Sequence, residues 1–203
     1  MIICKDLNKS FGDKKILENF SLELPDKGVV ALMAPSGSGK TTLTRILIGL
    51  EKQDSGELMV TSDQISVVFQ ENRLLEGLTA LENIKAVLKK NEDKLALLWL
   101  EKMGLKTAKD LLPRELSGGM QRRLAMARAM AYGGDLMILD EPFAGLDDDT
   151  RKNLYPRILE EKDRLTLLIT HDREEAEFLS DKLIIMDGPP LKIKEVHDAH
   201  FAN

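Results

Sequence analysis

The sequence predicts an α/β fold built on a mainly parallel sheet, and three observations carry that reading. Short apolar runs alternate with helical patterns along most of the chain. Of those runs, residues 29–33 (VVALM) are unbroken, as a strand covered on both faces is, and residues 165–170 (LTLLIT) read again as strand. A glycine-rich stretch, residues 34–42 (APSGSGKTT), follows the first of them directly and leads into a helical pattern.

Taken in order, residues 2–7 and 17–24 alternate apolar and polar side chains in part, the period of half-buried strands. Pro25 to Gly28 form a turn before the strand at 29–33, and a helix is expected over 41–50. Asp54 to Gly56 read as a turn and residues 65–69 (ISVVF) as a strand. Two helices follow at 80–90 and 93–103, the second with Leu95, Leu98 and Trp99 on one apolar stripe and Gly104 to end it. Ser117 suits the N-cap of a helix from Gly118 to about Tyr132. Beyond it lie a buried strand at 136–139, a helix at 151–162, the strand at 165–170, a short helix at 173–179 and a last core strand at 182–186. The helical block from about residue 80 to 130 interrupts the alternation and reads as an insertion.

The bulk properties bound the function. A chain of 203 residues with 43% apolar and 31% charged residues fits one soluble globular domain with a proper core. A net charge of −5 argues against nucleic acid as a partner. The lone Cys4 has no internal disulfide partner and reads as a strand residue. His197 and His200 stand at a spacing that binds metal on a helix, but with no further ligands nearby they read as a solvated tail. No run approaches the ~20 apolar residues that span a bilayer, and the N-terminus lacks the pattern of a signal peptide, so a cytoplasmic protein is expected.

The chemistry concentrates at the glycine-rich loop, which follows G-x-x-x-x-G-K-[ST]. Backbone N–H groups of Ser36, Gly37, Ser38, Gly39 and Thr42 can wrap phosphates, helped by the positive end of the following helix. Lys40 can reach the β- and γ-phosphates of ATP, and the Thr41 hydroxyl can bind Mg²⁺. The pattern departs at its first position, where Ala34 replaces glycine; a positive φ there would cost roughly 1–2 kcal/mol. Asp140 and Glu141 end the strand at 136–139, at the edge where parallel sheets bind ligands. Asp140 suits an Mg²⁺ contact, direct or through water. Glu141 suits the general base that polarises the attacking water. His171, past the strand at 165–170, can hydrogen-bond a phosphate and hold that water.

The segment 116–123 (LSGGMQRR) resembles the signature motif of the ABC ATPases, and the resemblance then extends over nearly the whole chain. Gln70 looks like the family's Q-loop glutamine, a ligand of the metal and of the attacking water. Residues 144–147 (AGLD) look like its D-loop, with Asp147 coupling two sites, and His171 looks like its switch histidine. Phe11 takes the place of the aromatic that stacks on adenine. The resemblance implies a phosphate-loop NTPase domain over residues 1–203, with an N-terminal antiparallel β subdomain and a helical subdomain inserted at about 71–132. It implies a composite site in which ATP lies between the loop of one cassette and Ser117, Gly118 and Gly119 of a second, an identical copy being the expected pairing. It also implies a separate membrane permease, faced by the segment 71–80, and a place on the inner face of the membrane. The runs at 69–75 (FQENRLL) and 78–83 (LTALEN) look like bacterial importers of the nitrate, sulfonate and taurine type, which work with an extracytoplasmic substrate-binding protein. This chain departs by being short, and no C-terminal regulatory domain is expected. The same engine driving export or lipoprotein extraction, or a non-transport ATPase, is the alternative reading.

Overall fold

The computed structural model describes residues 1–160 and 163–198. A six-stranded sheet runs in the order β5-β6-β7-β3-β8-β9: β3 (Gly28–Met33), β5 (Ile65–Val68), β6 (Leu136–Asp140), β7 (Leu165–Ile169) and β8 (Lys182–Asp187) are parallel neighbours, and β9 (Lys192–Asp198) closes one edge antiparallel. A second sheet, β2-β1-β4, is antiparallel and is built from β1 (Ile2–Phe11), β2 (Lys14–Leu24) and β4 (Ser55–Val60).

The side-chain alternation of a strand explains how one sheet supports two cores. Val29, Ala31, Met137, Leu139 and Leu168 point to one face, where they pack under α2 (Ala80–Lys85), α3 (Asp93–Lys102), α4 (Gly118–Tyr132), α5 (Asp148–Leu159) and α6 (Arg173–Leu179). Val30, Leu32, Ile138, Leu167 and Ile169 point to the other, against α1 (Lys40–Leu47) and the β1–β2 hairpin. Burial on both faces is why β3 reads as an unbroken apolar run and β6 and β7 as largely apolar ones.

Several boundaries differ from expectation. Both N-terminal strands are longer than the sequence pattern showed, because the hairpin continues to Phe11 and Lys14. The turn at Ser55 and Gly56 is already the start of β4. The first inserted helix stops at Lys85 instead of residue 90: Asn91 takes a left-handed φ of 75°, and the Glu92 carboxylate accepts from the Lys89 N–H, turning the chain into α3. On α3 the buried row is Ala96, Trp99, Leu100 and Met103, and Leu98 is exposed. Helix α5 begins at Asp148, three residues early, because Asp147 caps it; of the helix expected over 151–162, residues 161 and 162 lie outside the described residues. The expected tail is strand β9, where His197 Nε2 lies 2.8 Å from a Glu195 oxygen; His200 lies outside the described residues. Cys4 is buried in β1, which pushes its thiol up to about 11.

Candidate functional site

Four adjacent strands deliver the site. The carboxyl ends of β5, β6, β7 and β3 lie side by side, so the residues that follow them meet at one edge. After β5 comes Gln70, at the end of β6 come Asp140 and Glu141, after β7 comes His171, and after β3 comes the glycine-rich loop.

The loop's conformation follows from its glycines. Gly37 and Gly39 take φ of 78° and 115°, and Gly39 forms the N-cap of α1. A Cβ on Gly39 would stand 2.8 Å from Ile16 Cγ2, so hairpin and loop touch there. Ala34 is not among the left-handed residues; it is buried with Leu32 and Leu43, where a methyl group packs. The departure at the loop's first position therefore carries no backbone penalty.

A cavity of about 340 Å³ is lined by Ser36, Gly37, Gly39, Lys40, Thr41 and Thr42 of the loop, by Gln70, Asp140 and Glu141, and by Lys14 and Ile16 of the hairpin. A larger one, about 480 Å³, lies between α5 and α6, but none of the loop residues borders it; chemistry, not size, locates the site. The Lys40 ammonium donates to the carbonyls of Ala34 and, at 3.0 Å, Pro35. Burial pushes its pKa down, and the charges of Glu141 and Asp140 oppose that. Burial pushes the Asp140 carboxyl up, as does the charge of Glu141, while Lys40 and Arg122 act against both.

Glu141 is held from two sides. Its N–H donates to the Ile169 carbonyl at 2.8 Å, and its carboxylate oxygens both lie 2.8 Å from His171 Nδ1. The hydrogen bond to Glu141, and then its charge, raise the His171 pKa. The Glu141 backbone takes a φ of 50°, uncommon for a residue with a side chain, in the sharp exit from β6.

Other expected site residues sit apart from this cavity. Ser117 caps α4, its hydroxyl accepting from the Met120 N–H at 3.2 Å. Gly119 lies against the Gly145–Asp147 turn, where an added Cβ would meet Leu146 Cδ2 at 3.2 Å. Asp147 caps α5 by accepting from the Thr150 N–H and hydroxyl at 2.9 and 2.8 Å. Phe11 is half exposed near the hairpin tip, with the Lys9 ammonium 5.1 Å from its ring centroid. Ser38, within the loop, is fully buried. Lys14 and Ile16 had no sequence signal as cavity residues, because only the hairpin's placement brings them there.

Comparison with known proteins identifies the family. The profile of the ABC transporter family matches residues 17–144 and so takes in the loop, Gln70, the signature segment and the Asp140–Glu141 pair. The aliphatic sulfonates import ATP-binding protein SsuB of Bacillus cereus is 36% identical over 208 residues, which take in 96% of this chain and 82% of that protein. The sulfate/thiosulfate import ATP-binding protein CysA of Synechocystis sp. is also 36% identical, over 98% of this chain and 61% of its own length. Among solved structures, the dimeric ATP-binding cassette in a post-hydrolysis state with ADP and Pi superposes with a TM-score of 0.86 at 27% identity, covering 98% of this chain and 99% of that one. No helix among the described residues is long and apolar enough to cross a membrane. With its phosphate loop, its acidic strand exit and its signature helix all within the matched span, this chain belongs to the ABC transporter family as an ATP-binding cassette with ATPase activity.

Proposed function

We propose that the chain is the motor subunit of an importer: it binds ATP with Mg²⁺, pairs with a second cassette, and drives a separate membrane permease from the inner face of the membrane. The observation that carries the catalytic part is the Glu141 carboxylate, pinned by His171 at the rim of a cavity that also holds Lys40, Thr41, Gln70 and Asp140.

In this reading the loop amides and Lys40 hold the phosphates, and Phe11 stacks on the adenine. Glu141 accepts the proton of the attacking water, while His171 and Gln70 keep that water in line. Thr41, Gln70 and Asp140, a hydroxyl, an amide and a carboxylate that border both the 340 Å³ cavity and a smaller one of about 80 Å³ at the loop, are the hard oxygen donors suited to Mg²⁺. When bound, the ion supplies neutralising charge for the phosphates. Ser117, Gly118 and Gly119 lie outside the cavity of their own chain, with α4's positive end behind them; this supports their acting on the ATP of a second copy. Asp147, on the turn that touches Gly119, then connects the two sites.

The import direction and the permease rest on the likeness to import ATP-binding proteins. The segment 71–80 is the expected permease contact; it begins one residue beyond Gln70, and Asn83 pins it by donating to the carbonyls of Leu75, Leu78 and Thr79. A substrate-binding protein outside the membrane completes the system. Helical insert and β subdomain together form one cassette over residues 1–203.

The Glu141→Gln variant tests the assignment. ATP binding is retained, turnover falls by about 10²–10⁴-fold, and a nucleotide-bound dimer accumulates in gel filtration. Normal turnover removes Glu141 from its role.

A further inference from the structure

The signature segment ends in two arginines, and the first of them is not accounted for by phosphate binding. Arg122 is 3% exposed and borders neither cavity at the loop. Its guanidinium reaches two separate chain segments. Nη1 donates to the carbonyls of Phe69 (2.5 Å) and Gln70 (3.2 Å) and to Asn72 Oδ1 (3.3 Å). Nη2 donates to the carbonyls of Asp140 (2.6 Å) and Glu141, and Nε to that of Pro142 (3.1 Å).

Those carbonyls belong to the exits of β5 and β6, where the backbone leaves the sheet ladder and loses its regular partners. Buried carbonyls without donors are costly. A guanidinium carries five N–H donors in a rigid plane, so one side chain can satisfy both exits and fix their relative position. The Glu141 backbone, left-handed at 50°, is held at its carbonyl by the same group.

We propose that Arg122 is a positioning residue for ATP hydrolysis: it clasps the Gln70 and Glu141 backbones to α4, so that the two groups acting on water share one frame with the helix carrying the signature. The proposal rests on the roles given above to Gln70 and Glu141. Arg122 touches no reacting atom; its effect passes through those two residues.

The test is turnover and ATP affinity of the purified full chain carrying Arg122→Gln, Arg122→Lys or Asn72→Ala, measured below the melting temperature of each variant. For Arg122→Gln, kcat falls at least about tenfold while the ATP Kd stays within about threefold. Arg122→Lys keeps the charge and part of the donor set and restores part of kcat. If Arg122→Gln does not fold, Arg122→Lys and Asn72→Ala carry the test, each lowering kcat with the Kd held. A second arm combines Arg122→Gln, or Arg122→Lys in its place, with Gln70→Ala. Because Arg122 acts through Gln70 and Glu141, the double variant loses less than the product of the single losses. Unchanged kcat, equal losses in kcat and affinity, or multiplicative losses overturn the proposal. Normal turnover in Glu141→Gln overturns the site assignment and this inference with it, whereas an inactive Glu141→Gln beside a normal Arg122→Gln overturns this inference alone.

Discussion

The contact between Gly39 and Ile16 offers a quantitative test of how the phosphate loop is built. Gly39 has a φ of 115°, and a Cβ there would stand 2.8 Å from Ile16 Cγ2 and 3.4 Å from the Ile16 carbonyl oxygen. In Gly39→Ala the left-handed backbone costs about 1–2 kcal/mol. Carbon atoms pack best at roughly 3.5–4.0 Å, so the methyl group also overfills the joint, at a further cost of about 1–3 kcal/mol. A total near 3 kcal/mol lowers the melting temperature by roughly 6–12 °C in a chain of this size. Ile16 is almost fully buried, so Ile16→Ala alone costs about 2–5 kcal/mol. In the double variant the clash is gone while the backbone term remains. The two changes are therefore coupled by about 1 kcal/mol or more in the relieving direction. Chemical denaturation of the wild type, both single variants and the double variant closes the cycle. Strict additivity would refute the claim that hairpin and loop are fitted to each other at this point.

Two further predictions concern charge. Arg151 lies 3.1 Å from both Glu175 Oε1 and Asp172 Oδ2, and Glu175 is 4% exposed. Arg151→Ala leaves Glu175 buried with the Thr170 hydroxyl as its remaining donor; with Arg151 about a quarter exposed, the loss is about 1–3 kcal/mol in urea denaturation, and a loss below about 0.5 kcal/mol would show the pair to be idle. His171 has its pKa raised by Glu141, so their attraction is fully present below the unfolded value of about 6.5 and is lost as pH rises through the folded value. His171→Ala therefore lowers the melting temperature more at about pH 6 than at about pH 8.5; the ring is largely exposed and the difference stays below about 1 kcal/mol. An equal effect at both pH values would refute the pairing.

The parts of the fold that could be read in advance are those whose side chains answer to one environment. Strands β3, β6 and β7 are covered on both faces, and apart from Thr166 and the terminal Asp140 their side chains are apolar. Strand β9 is exposed at every position, so KIKEVHD has no burial pattern to read; its pairing with β8 comes from the chain reversal at residues 188–191. Strand β4 is largely exposed and begins at residues that favour turns. The placement of the candidate site was legible for a related reason. Gln70, Asp140, Glu141 and His171 follow apolar runs that identify themselves as parallel strands, and such strands present their carboxyl ends together.

Arg122 and Arg123 show where that legibility stops. The two are adjacent and chemically identical, and either alone reads as a solvated position on a helix. On α4, however, Arg122 heads the i, i+4, i+8 row that continues with Met126 and Met130, both buried in the core. A charge on such a row must be paired. Arg123, one position round the helix, instead reaches the carbonyls of Met103 and Gly104 at the end of α3. Helical phase thus singles out Arg122 as the arginine needing buried partners. It cannot name them, because apart from Asn72 Oδ1 they are backbone carbonyls, at residues 69, 70 and 140–142, brought together by the pairing of β5 with β6. Side-chain motifs report the groups proposed to act on phosphate and water; the backbone frame around them is written in strand order.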